Sequence, residues 1–357
     1  GLGRLYIDGQ EMIDNWTQQT PGTAYFGFGT TEAMCTIDLT VERDYAIAIE
    51  FSKPASVPFA AVRLGCLPPL PVDALQRAVQ LAASSDVALV FVGLSSEWES
   101  EGFDRPDMDL VGEQAALIEA VAAANKNTVV ILNTGSPITM PWLDQVAAVV
   151  QAWYPGQECG NAIADVLFGN TNPSGKLPQT FPLRLEDNPA YINYPGENGK
   201  VYYGEGLFVG YRYYEKKKIA PLFPFGFGLS YTTFSYDSLR LNTQEISPSD
   251  TMQVSVDITN TGQCAGKEVV QLYIHDIAAS LHRPDKELKA FAKVHLKPSE
   301  RTTLTFTVSC DALAYYDDQA REWVAEAGEF ELLVGSSSQD IRAQATFVLA
   351  TSSRWSS

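Results

Sequence analysis

Positive charge is scarce in this chain. Its 357 residues carry 25 Lys and Arg against 43 Asp and Glu, a formal net charge of −18. A surface that acidic is poorly matched to a phosphate backbone, which argues against nucleic acid as a partner. Its simplest physical use is solubility. Cysteine is sparse as well: Cys35, Cys66, Cys159, Cys264 and Cys310 are scattered, with no CxxC pair. An odd, widely spaced set does not make a disulfide framework. Only His275, His282 and His295 are present, without the tight spacing of a metal site. None lies between residues 67 and 182, so Ser/His/Asp catalysis has no support there. No run of 18 apolar residues occurs, so no membrane-spanning helix is expected. The expectation is a protein without metal, cofactor, nucleic-acid or membrane partner.

What is present is enough apolar material for sizeable cores, 45% of residues. At roughly 150 residues per domain the length predicts two or three domains. Residues 1–64 read as β: Leu5-Tyr6-Ile7 runs into the Asp8-Gly9 turn, and alternating runs follow at Cys35–Val41 and Tyr45–Phe51. Leu67-Pro68-Pro69-Leu70 marks a linker, after which the period changes. Asp73–Ser84 has a helical stripe with Asp73 as its cap. Val87–Leu94 is a continuous apolar run, predicting a strand buried on both faces. Gly112–Asn125 is helical, Thr128–Leu132 and Ala147–Trp153 are further strands, and Gly160–Phe168 is helical again. Strands and helices alternating at this spacing predict a parallel α/β sheet over residues 65–182. Residues 183–233, rich in Tyr, Gly and Pro, read as a connector pinned by its aromatics. Short alternating strands return in residues 234–357, the pattern of an immunoglobulin-like sandwich.

The loop after Val87–Leu94 sits where parallel sheets place their chemistry. It holds six carboxylates within thirteen residues: Glu97, Glu99, Glu101, Asp104, Asp107 and Asp109. Clustered carboxylates raise one another's pKa, and a protonated one is what a glycosidase uses to assist a leaving group. Gly102 permits a tight turn beside the acid, and Asp104-Arg105 is placed to form a local ion pair. The plainer reading is a solvated acidic loop with Asp109 or a neighbour capping the next helix. A calcium site is a third reading, against which stands the missing D-x-D-x-D-G ladder. Asn133-Thr134-Gly135-Ser136-Pro137 ends a buried strand but has no nucleophile elbow, and it reads as turn chemistry. Glu158 reads as a second carboxylate or a helix cap.

The string Ser100-Glu101-Gly102-Phe103-Asp104-Arg105-Pro106-Asp107-Met108-Asp109-Leu110 resembles the acid/base loop of glycoside hydrolase family 3 β-glucosidases. Trp153-Tyr154-Pro155-Gly156-Gln157-Glu158 and Asn172-Pro173-Ser174-Gly175-Lys176-Leu177-Pro178 resemble that family's α/β sandwich domain, of the six-stranded type. Gly210-Tyr211-Arg212-Tyr213-Tyr214 and Phe223-Pro224-Phe225-Gly226-Phe227-Gly228 resemble its connector. Asn260-Thr261-Gly262 and Arg283-Pro284-Asp285-Lys286-Glu287-Leu288-Lys289 resemble its fibronectin-III-like β-sandwich. Gly3–Trp16 is similar to the end of a PA14-like β-sandwich, which some members carry. The fold class expected is therefore multidomain α/β plus all-β: residues 1–64 PA14-like, 65–182 α/β, 183–233 connector, 234–357 fibronectin type III-like.

The resemblance implies a retaining, exo-acting β-glucosidase without a cofactor. An Asp nucleophile attacks the anomeric carbon while a Glu protonates the departing oxygen, the two carboxyls lying about 5–5.5 Å apart. By motif position the acid/base is Glu101, with Glu99 as the competitor within the loop. The family's nucleophile lies on an N-terminal (β/α)8 barrel that this sequence does not contain, so the chain is expected to be the C-terminal part of a longer, cleaved or split enzyme, with that barrel as its partner and a β-glucoside as substrate. In PA14-bearing members an aromatic reaches over the site mouth; Phe26 is the candidate here, unless it packs in a sandwich core. A β-xylosidase of the same family and a non-catalytic carbohydrate-binding module are the alternatives. Homo-oligomerisation stays open, as does compartment: secreted, periplasmic and cytoplasmic bacterial settings all fit.

Overall fold

In the computed structural model, which describes residues 1–22, 29–55, 60–69, 71–102 and 104–356, the chain falls into two units. The first comprises Gly1–Ser136 and Met140–Tyr154, the second Pro137–Thr139 and Pro155–Ser357.

The first unit opens with β1 (Leu2–Ile7) and β2 (Gln10–Asn15), an antiparallel pair. Asp8 and Gly9 join them at φ of 51° and 78°. Two consecutive left-handed residues make the tight turn whose twist matches a hairpin, which is why Asp-Gly signals one. Strand β3 (Ile47–Ser52) pairs antiparallel with β1, giving the order β2-β1-β3. The strand expected at 35–41 is not formed among the described residues, and Leu39 and Val41 are exposed. Alternation supplies an amphipathic face, but a strand also needs a neighbour for its backbone groups.

Then follow α1 (Ala74–Ala83), β4 (Ala88–Gly93), α2 (Gln114–Ala124), β5 (Thr128–Asn133) and β6 (Ala148–Gln151). The strands form a parallel sheet in the order β4-β5-β6. α2 packs on β4 and β5. Asn125 ties the two helices together by donating to the Ala82 and Ser85 carbonyls at 2.9 and 2.8 Å. β5 is the central strand, with Val130, Ile131 and Leu132 fully buried. β4 departs from the expectation of burial on both faces. Val90 and Val92 are buried, whereas Leu89 and Phe91 are exposed. Successive side chains point to opposite faces, and the described residues leave the face that carries Leu89 and Phe91 uncovered. Asp73 precedes α1 but makes no side-chain capping bond.

The second unit begins with α3 (Cys159–Leu167) and the irregular stretch that includes α4 (Tyr211–Lys217). The aromatics pin this stretch down as expected. Phe181 is buried against Phe223 at 6.3 Å, and Tyr211 stacks on Phe225 at 5.0 Å and meets Tyr273 edge-on at 6.0 Å. The remainder is all β: β7 (Phe234–Leu241), β8 (Glu245–Ile246), β9 (Thr251–Asn260), β10 (Gly266–Asp276), β11 (Glu287–Leu296), β12 (Arg301–Ser309), β13 (Tyr315–Asp317), β14 (Glu322–Ala325), β15 (Gly328–Gly335), β16 (Ile341–Leu349) and β17 (Ser353–Trp355). Sheets β11-β10-β15-β16-β8 and β12-β9-β7 contribute to one core, and β13-β14-β17 forms a third sheet. Met252, Val254, Val256 and Ile258 from β9 meet Val270, Leu272 and Ile274 from β10 there, every second residue facing inward. Each such side chain contributes about 1.5–3 kcal/mol on burial.

Candidate active site

Because β4, β5 and β6 run parallel, their carboxyl ends emerge at one edge. Three segments meet there: the loop after Gly93, the turn 133–136 after β5, and Trp153-Tyr154 after β6. Gln114, the first residue of α2, closes the loop at its base. The Gly93 N–H donates to Gln114 Oε1 at 2.7 Å, and Gln114 Nε2 donates to the Gly93 and Val111 carbonyls at 3.0 Å each. Within the loop the Ser95 carbonyl accepts from the Trp98 and Glu99 N–H groups at 2.9 and 3.0 Å. That single helical turn carries Glu99 back to the sheet. Met108 and Leu110, both buried, anchor the loop's return.

Glu99 is surrounded by donors. Its carboxylate accepts from the Gly135 N–H at 2.7 Å and makes short hydrogen bonds with the Ser136 and Tyr154 hydroxyls. Arg105 Nη1 lies 3.5 Å from it and donates to Ser136 Oγ at 3.1 Å, while Nη2 donates to the Asp109 carbonyl at 2.9 Å. Glu99 and Arg105 are only 13% and 14% exposed at their side chains. Burial by itself raises the Glu99 pKa, but the bonds from Ser136, Tyr154 and Gly135 and the Arg105 charge outweigh it and hold the group below its ordinary value. The expected mutual raising of carboxylate pKa values therefore fails at Glu99, because its neighbours are donors rather than carboxylates. Burial, then Glu99, push the Tyr154 hydroxyl up to about 12. Gly135 leaves no room for a side chain: a Cβ would stand 2.9 Å from the Tyr154 ring and 3.1 Å from Glu99 Oε2. Trp153, at φ 58°, turns the chain between β6 and Tyr154, and Asn133 Nδ2 holds its carbonyl at 3.1 Å.

The acid stability of this cluster follows. Glu99's folded pKa lies below its ordinary 4.5, so its stabilisation is present above about that pH and is lost as pH falls through the lower folded value. A Glu99→Gln variant is expected to be less stable than the parent at neutral pH, with the gap closing below pH 4.5 in urea titrations run across pH. A gap that widens on acidification would contradict this.

Glu101 is exposed, and no hydrogen bond or ion pair among the described residues engages its carboxylate. Glu97 is also exposed and pairs with Arg63 at 3.4 Å. Asp107 accepts from the Asp109 N–H at 3.0 Å, an Asx turn within the loop. Arg105 reaches Glu99 and Ser136. Glu113, rather than Asp109, precedes α2. Glu158 lies in the second unit, where it accepts from Asn161 at 2.6 Å. Phe26 lies outside the described residues. Gly135, Ser136 and Tyr154 were not singled out as functional by sequence. Their one signal is position at the carboxyl ends of buried strands. Among the described residues no group of three His, Cys, Asp or Glu is arranged to hold a metal ion.

Residues 8–231, which contain this whole cluster, match the model of the glycosyl hydrolase family 3 C-terminal domain. The chain belongs to glycosyl hydrolase family 3. Residues 268–338 match the fibronectin type III-like domain. The chain is 46% identical to a β-glucosidase of Rhizobium radiobacter, over 98% of this chain and 44% of that protein. It is 53% identical to thermostable β-glucosidase B of Acetivibrio thermocellus, over 75% of this chain and 36% of that protein. Among solved structures it resembles the β-glucosidase from Kluyveromyces marxianus in complex with glucose, with a TM-score of 0.90, 41% identity, and coverage of 99% of this chain and 42% of that one. The chain thus spans less than half the length of these relatives.

Proposed function

We propose that this chain is the acid/base-bearing, C-terminal portion of a retaining, exo-acting β-glucosidase of family 3. In that enzyme an N-terminal (β/α)8 barrel supplies the Asp nucleophile and this chain supplies Glu101. Residues 1–64 are the end of a PA14-like domain, 65–182 the α/β domain of six-stranded type, 183–233 the connector and 234–357 the fibronectin type III-like domain. Phe26 is assigned, from the sequence alone, to contact the aglycone.

The observation that carries the reading is the contrast between two neighbouring carboxylates. Glu99 is enclosed by donors, and both its oxygens are engaged by Gly135, Ser136 and Tyr154, which leaves neither free to meet a substrate. Glu101 is exposed and unengaged in the same loop, which suits a group that must meet a substrate oxygen. Protonated Glu101 gives its proton to the glycosidic oxygen as the bond to the anomeric carbon breaks. Its carboxylate then takes a proton from the water that releases the sugar. The β-glucosidase names of the similar proteins support a glucoside substrate.

The test is the stereochemistry of turnover by the enzyme that joins this chain to the barrel. Proton NMR of aryl β-glucoside hydrolysis is expected to show β-glucose first, with the α-anomer appearing only by mutarotation. First-formed α-glucose would exclude the retaining mechanism. Sugar binding without turnover would leave a binding module.

A further inference from the structure

Residues 99 and 105 bracket the part of the loop that carries Glu101, and both are tied to the same hydroxyl. Ser136 Oγ donates to Glu99 and accepts from Arg105 Nη1 at 3.1 Å, so the two ends of this short segment are drawn together at the carboxyl end of β5. Gly135 N–H and the Tyr154 hydroxyl complete the hold on Glu99, and the Tyr154 hydroxyl also lies 3.1 Å from the Leu94 carbonyl at the loop's start. The clasp therefore joins the loop to the ends of both β5 and β6. Inside it, the Gly102 N–H donates to Ser100 Oγ at 3.2 Å, a local turn directly around Glu101. Glu101 makes no side-chain bond of its own among the described residues, so its place is set by the residues that flank it.

We infer that Glu99, with Ser136, is a positioning residue for Glu101: an ionised clasp that closes the acid/base loop onto the sheet and aims the proton donor without touching substrate. This rests on the reading of Glu101 as the acid/base. The arrangement uses charge where it is held best. Because the acceptor is a carboxylate, each hydrogen bond to Glu99 is charge-assisted and stronger than a neutral equivalent. Placement within a fraction of an ångström matters for proton transfer, and a displacement of about 1 Å can cost about 100-fold in rate.

The experiment uses the enzyme that joins this chain to the barrel. Glu99→Gln, Ser136→Ala, Ser136→Thr and Glu101→Gln are compared on cellobiose, whose sugar leaving group needs a proton, and on dinitrophenyl β-D-glucoside, whose leaving group does not. Glu99→Gln and Ser136→Ala are each expected to lower kcat on cellobiose about 10- to 100-fold with KM changed less than about threefold. Their kcat/KM on the dinitrophenyl substrate should stay within about threefold, and Ser136→Thr, which keeps the hydroxyl, should recover most of the loss. Proportional loss on both substrates would mean a merely structural role and overturn the proposal. So would unchanged cellobiose turnover in both variants. A Glu99→Gln loss on cellobiose as large as that of Glu101→Gln, together with azide rescue of its kcat on dinitrophenyl β-D-glucoside, would make Glu99 the acid itself. If Glu101→Gln affects both substrates equally, the reading of Glu101 fails and the clasp falls with it. If Glu101→Gln discriminates between them and Glu99→Gln and Ser136→Ala do not, the clasp alone fails. Ser136→Ala removes only one hydroxyl, so it keeps the test open if Glu99→Gln folds poorly.

Discussion

Replacing Glu101 by Gln, in the enzyme that joins this chain to the barrel, is expected to lower kcat/KM on cellobiose by about 100- to 10,000-fold, the range that general acid catalysis contributes. The amide keeps the size of the side chain and removes the proton. On dinitrophenyl β-D-glucoside the first step needs no acid, so kcat/KM should fall far less. The second step still needs a base to activate water, so kcat and KM should fall together as the glycosyl-enzyme accumulates. Azide needs no deprotonation and should restore kcat, leaving β-glucosyl azide as product. The folded state should hardly register the change. Glu101 is exposed and unengaged among the described residues, and such substitutions stay within about 0.5 kcal/mol. Equal loss on both substrates without azide rescue would remove Glu101 from the mechanism.

Arg283→Met is expected to have the largest effect on stability, about 3–5 kcal/mol, because it strands charges that are already buried. Arg283 is 7% exposed at its side chain and lies at the centre of a cluster in the second unit. Nη1 meets Asp276 at 2.9 Å and donates to the Leu313 carbonyl at 2.8 Å, and Nη2 meets Glu287 at 2.8 Å. Glu287 also contacts Arg212 at 3.1 Å and Lys289 at 3.4 Å. Burial already raises the Asp276 pKa despite the Arg283 charge opposing it. At Glu287 burial pulls the same way, but Lys289, Arg283 and Arg212 together hold the pKa below its ordinary value. Met preserves most of the stem's packing and removes the charge, so the loss measured is electrostatic. At about 2–4 °C per kcal/mol, calorimetry should show a drop in Tm of about 6–20 °C. The deficit should shrink in acid, where Asp276 becomes neutral and no longer needs the cation. A drop of under about 2 °C would mean the cluster contributes little.

The sequence by itself determined the local elements and their class. The Asp8-Gly9 turn, the continuous run of β5 and the period-two strands β9, β10, β12 and β15 follow from backbone preference and from which face must leave water. It also marked the acidic loop and, through the Ser100–Leu110 motif, the residue proposed as acid/base. Pairing and enclosure were decided by tertiary structure. Residues 35–41 alternate as well as any strand but form none among the described residues, and β4 reads as doubly buried but has one face exposed, because partners are long-range facts. Glu99 and Glu101 are the same residue type two positions apart, and sequence offered only motif position to separate them. The structure separates their environments: Ser136 and Tyr154, 37 and 55 residues away, close around Glu99 and leave Glu101 facing solvent. What a carboxylate can do depends on the donors around it, and parallel strands bring those donors from distant points of the chain to one edge.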